Sequence, residues 1–323
     1  MAAMPLEPPP TSDPVTRALS PRVIVSLIAV YLIWGSTYLA LRYVIEGLPP
    51  LMSGGARYFT AGAVLLVILR LRGAKMPTAR EWGYSVPVGT LMFLVGNGLV
   101  ALAEREVASS LAAVVCAAMP LFAAGLSVAI GERPTMRQWI GLFLGFVGVA
   151  VMSLGALRAT PGAALLLLCA PIGWATGSLA AKRLPLPKGL MAAATQMIGG
   201  GLVTLFVGML RGETLPSHAP TKALVALAYL VVFGSLVAFS AYTYLLRSTT
   251  APVAMSYAYV NPVIAVVMGV AIGAERMSSG ALLGGALVVA GVAVLVSRVP
   301  AQAIRGAGTR GATGAPLVGQ RAR

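Results

Sequence analysis

Ten runs of about 20 apolar residues follow one another along the chain and constrain its fold more than any other feature. A helix of that length crosses the hydrocarbon core of a bilayer. The runs lie near residues 23–41, 52–71, 83–103, 107–130, 137–155, 162–181, 189–210, 223–246, 251–273 and 277–297. They are continuously apolar and lack the alternation of a membrane-spanning strand. The sequence therefore predicts ten transmembrane helices.

The composition agrees with burial in lipid. Hydrophobic residues make up 58% of the 323 residues, and only 10% are charged, against about 25% in soluble domains. We therefore predict an all-α integral membrane protein whose surface contacts the lipid bilayer. The net charge is +15, but the basic residues are scattered between the apolar runs and in the tails. That distribution does not form a basic patch, so no nucleic-acid partner is predicted.

The basic residues also predict the orientation of the chain. With the N-terminus in the cytoplasm, the inner segments hold 17 of the 24 Lys and Arg residues and the outer loops hold 6. Basic residues accumulate on the cytoplasmic side of membrane proteins, so both termini are predicted to be cytoplasmic. Residues 1–21 are Pro-rich and residues 299–323 are rich in Gly, Ala and Arg. Both segments are predicted to be disordered tails.

The chain repeats one pattern at an interval of about 142 residues. The segments that begin at Met119 and Asn261 each hold a proline in an apolar run, then "AIG", a Glu-Arg pair and spaced glycines. Pro120 thus matches Pro262. Further upstream, "LIWGSTYLA" matches "PIGWATGSLA". The sequence predicts two repeats of five helices each.

The predicted repeats occupy residues 22–155 and 156–298. Because five spans are an odd number, the second repeat enters the membrane upside down relative to the first. Inverted repeats give a carrier two equivalent packings, one open to each side, as alternating access requires. The alternative is that the repeat is a relic of duplication in a structural membrane protein.

The residues resemble those of a known family. The segment "WGSTYLALRYVIEGLPPLMSGGARYFTAG" and the two "P…AIG…ER…G…G" segments are similar to EamA-type transporters of the drug/metabolite transporter superfamily. The resemblance covers about residues 22–298. It implies a secondary carrier in the inner (plasma) membrane that exports an amino acid, a related metabolite or a drug, without indicating which one.

The alternative function is a polytopic membrane enzyme that acts on a lipid or a lipid-linked substrate. Such an enzyme needs positioned acids, bases or metal ligands. The chain has one histidine, His218, which lies in a polar loop, and its nine acidic residues avoid the middle of every predicted span. We therefore expect no enzyme, no metal and no cofactor. Proton-coupled carriers often use a buried carboxylate, and the chain offers no good candidate; Glu104, at the outer end of the third span, is the nearest. Exchange and facilitated transport are the alternatives.

Aromatic residues of the first and sixth spans are candidates for the substrate pathway. Tyr31, Trp34 and Tyr38 share one helix face at spacings of three and four. In the second repeat, Trp174 and Ser178 occupy the positions that match Trp34 and Tyr38. The two tryptophans are predicted to form aromatic walls around a central pathway. Ordinary helix packing is the alternative for each of them alone.

Arg57 lies about six residues into the second predicted span. It is a candidate for binding a substrate carboxylate through two parallel hydrogen bonds. Gln196 is the polar residue in the matching region of the seventh span. The alternative for Arg57 is a side chain that extends to the outer membrane interface.

Further polar and aromatic residues complete the predicted site. Asn97 lies in the third span, and Tyr257 and Asn261 share a face of the ninth. Phe239 and Tyr242 share a face of the eighth span. Hydrogen bonding between helices explains each polar residue singly. We predict that together they contact a small-molecule substrate.

The fifth and tenth spans each contain a GxxxG pattern, which permits close approach of two helices. Gly141 and Gly145 form the first pattern, and Gly280 and Gly284 form the second. Packing within one chain is one interpretation, and a homodimer is the other.

Overall fold

The computed structural model describes residues 20–107, 112, 115–129, 131, 134–152, 160–273 and 279–296. These residues are helical apart from short turns, and no strand occurs among them. The predicted tails lie outside the described residues, except for Ser20 and Pro21. The Glu132-Arg133 and Glu275-Arg276 pairs also lie outside them.

We number the longer helices in chain order. They are α1 (Pro21–Gly47), α2 (Pro50–Leu71), α3 (Ala79–Ala103), α4 (Met119–Ala129), α5 (Met136–Met152), α6 (Pro161–Arg183), α7 (Leu190–Leu210), α8 (Thr221–Ser248), α9 (Tyr257–Gly273) and α10 (Ser279–Val296). A short helix, Ala251–Ala254, precedes α9.

Six of these helices are long and apolar enough to cross a membrane: α1, α2, α3, α6, α7 and α8. Shorter apolar helices cover Met119–Ala129, Met136–Val151 and Leu282–Val296. Large apolar side chains are exposed on the outside of the bundle, including Leu32, Phe143 and Phe206. The chain is an all-helical membrane protein, and the count of ten complete spans stays a prediction.

Equivalent helices of the two halves begin in the same way. The Ser20 hydroxyl accepts a hydrogen bond from the Val23 amide at the start of α1, and Thr160 does so from Ala163 at the start of α6. In both helices a proline follows the capping residue, where its missing N–H costs nothing. The two caps lie 140 positions apart, which is the interval of the sequence repeat in this region.

The third and eighth helices share a rarer feature. Each contains a π-helical segment, Thr90–Gly98 in α3 and Leu230–Val237 in α8. A π-helical segment alters the hydrogen-bond pattern of the backbone and is frequent at functional sites. The two segments again lie 140 positions apart at their first residues. The repeat is therefore visible in local backbone geometry as well as in sequence.

Glycines allow the two halves to pack closely. A Cβ atom built on Gly201 of α7 would lie 2.6 Å from the Phe59 amide nitrogen of α2. A Cβ atom on Gly141 of α5 would lie 2.8 Å from the Gly291 carbonyl oxygen of α10. Helix backbones approach this closely only where side chains are absent. Gly141 is therefore used for packing within the chain, and the homodimer stays a prediction.

Candidate functional site

A cavity lies between the two halves at the centre of the bundle. Its empty volume, with its open mouth included, is about 690 Å³. The lining residues are Trp34, Thr37, Leu41, Arg57, Tyr58, Phe93, Gly96, Asn97, Val100, Cys116, Met119, Trp174, Gly234, Phe239, Tyr257 and Asn261. Seven of the twelve predicted site residues are among them.

The two matched tryptophans meet at the centre. Their ring centroids are 5.7 Å apart, and the rings meet edge to face at 81°. Both line the cavity, but they touch each other and do not stand on opposite sides as the sequence led us to expect. The reason is that α1 and α6 bring equivalent positions together where the two halves meet. Trp34 and Trp174 thus form a single aromatic surface.

Hydrogen bonds fix the orientation of this surface. The Trp34 Nε1–H donates to the Gly234 carbonyl oxygen at 2.9 Å. The Trp174 Nε1–H donates to the Tyr242 hydroxyl at 3.1 Å, and Ser178 lies 2.7 Å from the same hydroxyl. Tyr242 and Ser178 are fully buried and do not line the cavity. They support the Trp174 ring from behind.

Arg57 lies buried in the cavity wall, with only 9% of its surface exposed. Its Nε–H donates to the Ser235 hydroxyl at 2.8 Å, and its guanidinium carbon lies 4.8 Å from the centroid of the Tyr58 ring. Among the described residues, no carboxylate forms an ion pair with it. The side chain points toward α8, whereas a side chain that extends to the membrane interface would be exposed.

Two amides also line the cavity. The Asn261 Oδ1 atom is buried and has no hydrogen-bond partner among the described residues. The Asn97 Nδ2–H donates to the Met92 carbonyl oxygen at 3.2 Å, within the π-helical segment of α3. Tyr257 packs on Trp34 with a centroid separation of 4.4 Å. Asn261 therefore offers an unused hydrogen-bond acceptor to a bound molecule.

Tyr31 and Gln196 are not among the lining residues of the cavity. The Tyr31 hydroxyl forms a hydrogen bond with Ser256, which closes the bundle beside the aromatic surface. Gln196 is buried in α7, where its backbone oxygen faces Gly89 of α3, and its Nε2 atom has no partner among the described residues. The close crossing of α7 and α3 holds it there. The side chain of Tyr38 lies outside what the structure describes.

Several lining residues were not predicted from sequence. Phe93 contacts both Tyr58 and Phe239, with centroid separations of 4.2 and 4.9 Å. Its position four residues before Asn97 on α3 was the available signal, because residues at that spacing share a helix face. Cys116 and Met119 carried no such signal, since apolar side chains that face lipid look the same in sequence.

The chemical inventory of the cavity is that of a binding site. It combines one guanidinium, two amides and an aromatic surface. Among the described residues, no group of three or more His, Cys, Asp or Glu side chains is arranged to hold a metal ion. The arrangement can bind a small molecule that carries a negative charge and a hydrogen-bond donor.

Comparison with known proteins shows which family the chain is similar to. The model of the EamA-like transporter family matches it twice, over residues 21–154 and 161–297. YedA of Escherichia coli K12, an uncharacterized inner membrane transporter, is 41% identical over 255 residues, which cover 78% of this chain and 83% of YedA. Protein PecM of Dickeya dadantii is 26% identical over 258 residues, covering 78% of this chain and 84% of PecM.

A solved crystal structure is similar in fold. It superimposes with a TM-score of 0.71 at 20% sequence identity and covers 86% of this chain and 96% of the other. At that identity the likeness concerns the fold alone. The two family matches and the similarity to YedA support a membrane transporter. The chain is a member of the EamA-like transporter family.

Proposed function

We propose that this protein is a secondary active transporter of the inner membrane that exports a small carboxylate-bearing metabolite, such as an amino acid or a related compound, or a drug. The family match and the inner membrane transporter YedA support a transport function and that location. The substrate is bound in the central cavity between the halves and crosses by alternating access.

The observation that carries this proposal is the environment of Arg57. A charged group inside a membrane protein is costly unless it is paired. Arg57 has one hydrogen bond to Ser235 and no ion-pair partner among the described residues, so its outer nitrogens remain available in the cavity. A substrate carboxylate supplies the missing negative charge and matches the planar geometry of the guanidinium.

The remaining lining residues support a substrate that carries an amino group and an apolar part in addition to the carboxylate. The free Asn261 Oδ1 atom accepts a hydrogen bond from an amino or ammonium group. The surface of Trp34 and Trp174 contacts the apolar part of the molecule and attracts a cationic group by cation–π interaction. An amino acid or a related zwitterion carries all three features.

The arrangement of the bundle supports an outward-open state. In the predicted orientation, Leu41 of α1 and Val100 of α3 lie on the outer side of the tryptophans, and both line the cavity. The Tyr31–Ser256 hydrogen bond lies on the cytoplasmic side. Export then requires the bond to break as the cavity opens inward. The inverted repeats allow a second packing in which the cavity opens inward.

A toxicity-rescue screen tests the proposal. Cells that overexpress the wild type are exposed to toxic amino acid analogues, nucleobases and cationic dyes, beside cells that express Arg57→Gln or Arg42→Gln. Arg42 is exposed and pairs with Glu46, so its substitution is the matched control. We expect rescue from one or more carboxylate-bearing compounds by the wild type and Arg42→Gln, and its loss in Arg57→Gln. Rescue from dyes alone, unaffected by Arg57→Gln, would contradict the proposal.

A further inference from the structure

Glu104 follows the last residue of α3 and lies one helical turn beyond Val100 of the cavity wall. The residue as a whole is half-buried, but its Oε1 atom is fully buried and has no hydrogen-bond partner among the residues that the structure describes. It forms no ion pair with any of them. Burial of a carboxylate oxygen without a partner disfavours the ionised form. Burial accordingly raises the pKa of Glu104 to about 7.

The groups around Glu104 show that it lies beside the cavity. Its charge acts electrostatically on the thiol of Cys116, which is a lining residue on another wall. Glu106, two residues further along the chain, is exposed and accepts a hydrogen bond from the Thr160 hydroxyl at 2.6 Å. Arg105 is exposed as well. Glu104 therefore differs from its acidic neighbour in both burial and bonding.

Among the described residues, the elements packed against this end of α3 bring few other charges. Helix α2 contributes Arg57 and Tyr58, both on the cavity wall, and α6 contributes Cys169 before its basic residues at the opposite end. Loss of water, rather than the charge of any of these groups, is the cause of the raised pKa of Glu104. The carboxyl group is thus half protonated near neutral pH and is ionised above it.

Building on the proposed transport function, we propose that Glu104 is the proton-binding group of the transport cycle. In the outward-open state its carboxylate takes one proton from the outer water, and an O–H bond forms. The neutral side chain then lets the mouth close around it, because closure removes water from a neutral group rather than from a charge. When the cavity opens inward, cytoplasmic water reaches the Glu104 carboxyl through the cavity, the O–H bond breaks, and the proton leaves to that water, which hydrates the carboxylate. No electrons are transferred, and one proton enters as substrate leaves.

An infrared titration of the purified protein in lipid nanodiscs tests the proton site without any substrate. We expect a protonated-carboxyl band that titrates near neutral pH in the wild type and in Glu106→Gln, and that is absent from Glu104→Gln. A band that is unchanged in Glu104→Gln would overturn the proposal. So would titration of Glu104 near its ordinary pKa of about 4.3.

A labelling experiment tests whether protonation of Glu104 favours closure of the outer mouth of the cavity. Thr37 lines the cavity, so Thr37→Cys, in a background of Cys116→Ala and Cys169→Ala, reports access from outside. A membrane-impermeant thiosulfonate reagent is added to intact cells at about pH 5.5 and about pH 8.5, on either side of the Glu104 transition. The reagent reacts with the thiolate, so the labelling rate of any cysteine depends on pH. The rate at Glu46→Cys, an exposed position, is therefore measured at both pH values and used to correct the rate at Thr37→Cys.

We expect corrected labelling of Thr37→Cys to fall severalfold at the lower pH. Glu104→Gln should abolish this pH dependence, whereas Glu106→Gln should keep it. Glu104→Asp retains an acid and should keep a pH dependence with a shifted midpoint, which separates proton binding from a general loss of structure. The proposal would be overturned if labelling of Thr37→Cys did not change with pH when Glu104 is present. It would also be overturned if Glu104→Gln left the pH dependence of labelling unchanged.

Neither experiment needs a known substrate, so the two proposals can fail separately. A protein that gives both expected results but no rescue in the toxicity screen would overturn the transport function, and with it the place of Glu104 in a cycle. A protein that rescues cells but shows neither result would overturn the proton site alone.

Discussion

The Nε–H of Arg57 donates a hydrogen bond to the Ser235 hydroxyl at 2.8 Å, across the boundary between the two halves. Arg57 belongs to α2, and Ser235 lies in the π-helical segment of α8. This one hydrogen bond orients the guanidinium. Because serine is small, the other two nitrogens stay available to bind a substrate. The same segment presents the Gly234 carbonyl oxygen to the Trp34 ring. The altered backbone of α8 thus positions both a charge and an aromatic ring at the cavity.

Gly234→Ala is predicted to weaken substrate binding while leaving the fold intact. The added Cβ atom would lie 2.7 Å from the Arg57 Nη2 atom, and the flexible end of the arginine side chain moves aside more easily than backbone does. A displaced guanidinium loses part of a charged hydrogen bond, which contributes about 1.5–3 kcal/mol. We therefore expect affinity to fall by about tenfold or more.

Binding of a substrate found in the toxicity screen to purified protein checks this prediction. Gly54→Ala on α2 is the matched control, because nothing lies within 4 Å of an added Cβ atom there. Unchanged affinity in Gly234→Ala, at normal protein yield, would mean that the position of Arg57 is irrelevant to binding.

Gly201→Ala is predicted to destabilise the protein. An added Cβ atom would lie 2.6 Å from the Phe59 amide nitrogen and 3.0 Å from the Gly55 carbonyl oxygen. Backbone atoms cannot move aside locally, so α2 and α7 must separate, and overpacking of this kind costs about 1–3 kcal/mol. The measurement is the fraction of protein that remains monodisperse in detergent after heating. Gly125→Ala, which meets nothing within 4 Å, should behave as the wild type does.

The sequence predicted the helices well because lipid imposes a simple rule on composition and length. Each of the ten apolar runs contains helical residues among those that the structure describes. The caps of α1 and α6 could also be anticipated, since Ser20-Pro21 and Thr160-Pro161 are typical helix starts. The π-helical segments could not be anticipated, because nothing in the residue types of α3 and α8 distinguishes them from ordinary helix.

The site was predictable where a residue is unusual for its surroundings. Arg57 and Asn261 stand out in apolar runs, and Trp34 and Trp174 were connected by the repeat. Gln196 stood out equally, yet it lies at a helix crossing away from the cavity. Phe93 did not stand out, although it lines the cavity. Polarity indicates which residues face protein rather than lipid, but it does not indicate which of them face the cavity.

The orientation of the chain is predicted with both termini in the cytoplasm. The basis is the accumulation of 17 Lys and Arg residues on that side against 6 on the other. Alkaline phosphatase and green fluorescent protein are fused in turn to the C-terminal tail. We expect fluorescence without phosphatase activity. An active phosphatase fusion would place the C-terminus outside and would contradict an even number of spans with a cytoplasmic N-terminus.

The export rate of Arg57 variants at matched membrane expression tests the central claim most directly. Arg57→Lys keeps the charge but loses the planar pair of donors, and Arg57→Gln loses the charge as well. We expect transport of a carboxylate-bearing substrate to weaken in Arg57→Lys and to weaken further in Arg57→Gln, by about ten- to a hundredfold in affinity for a lost charged contact. Arg42→Gln should match the wild type. An Arg57→Lys variant that transports as the wild type does would contradict the account.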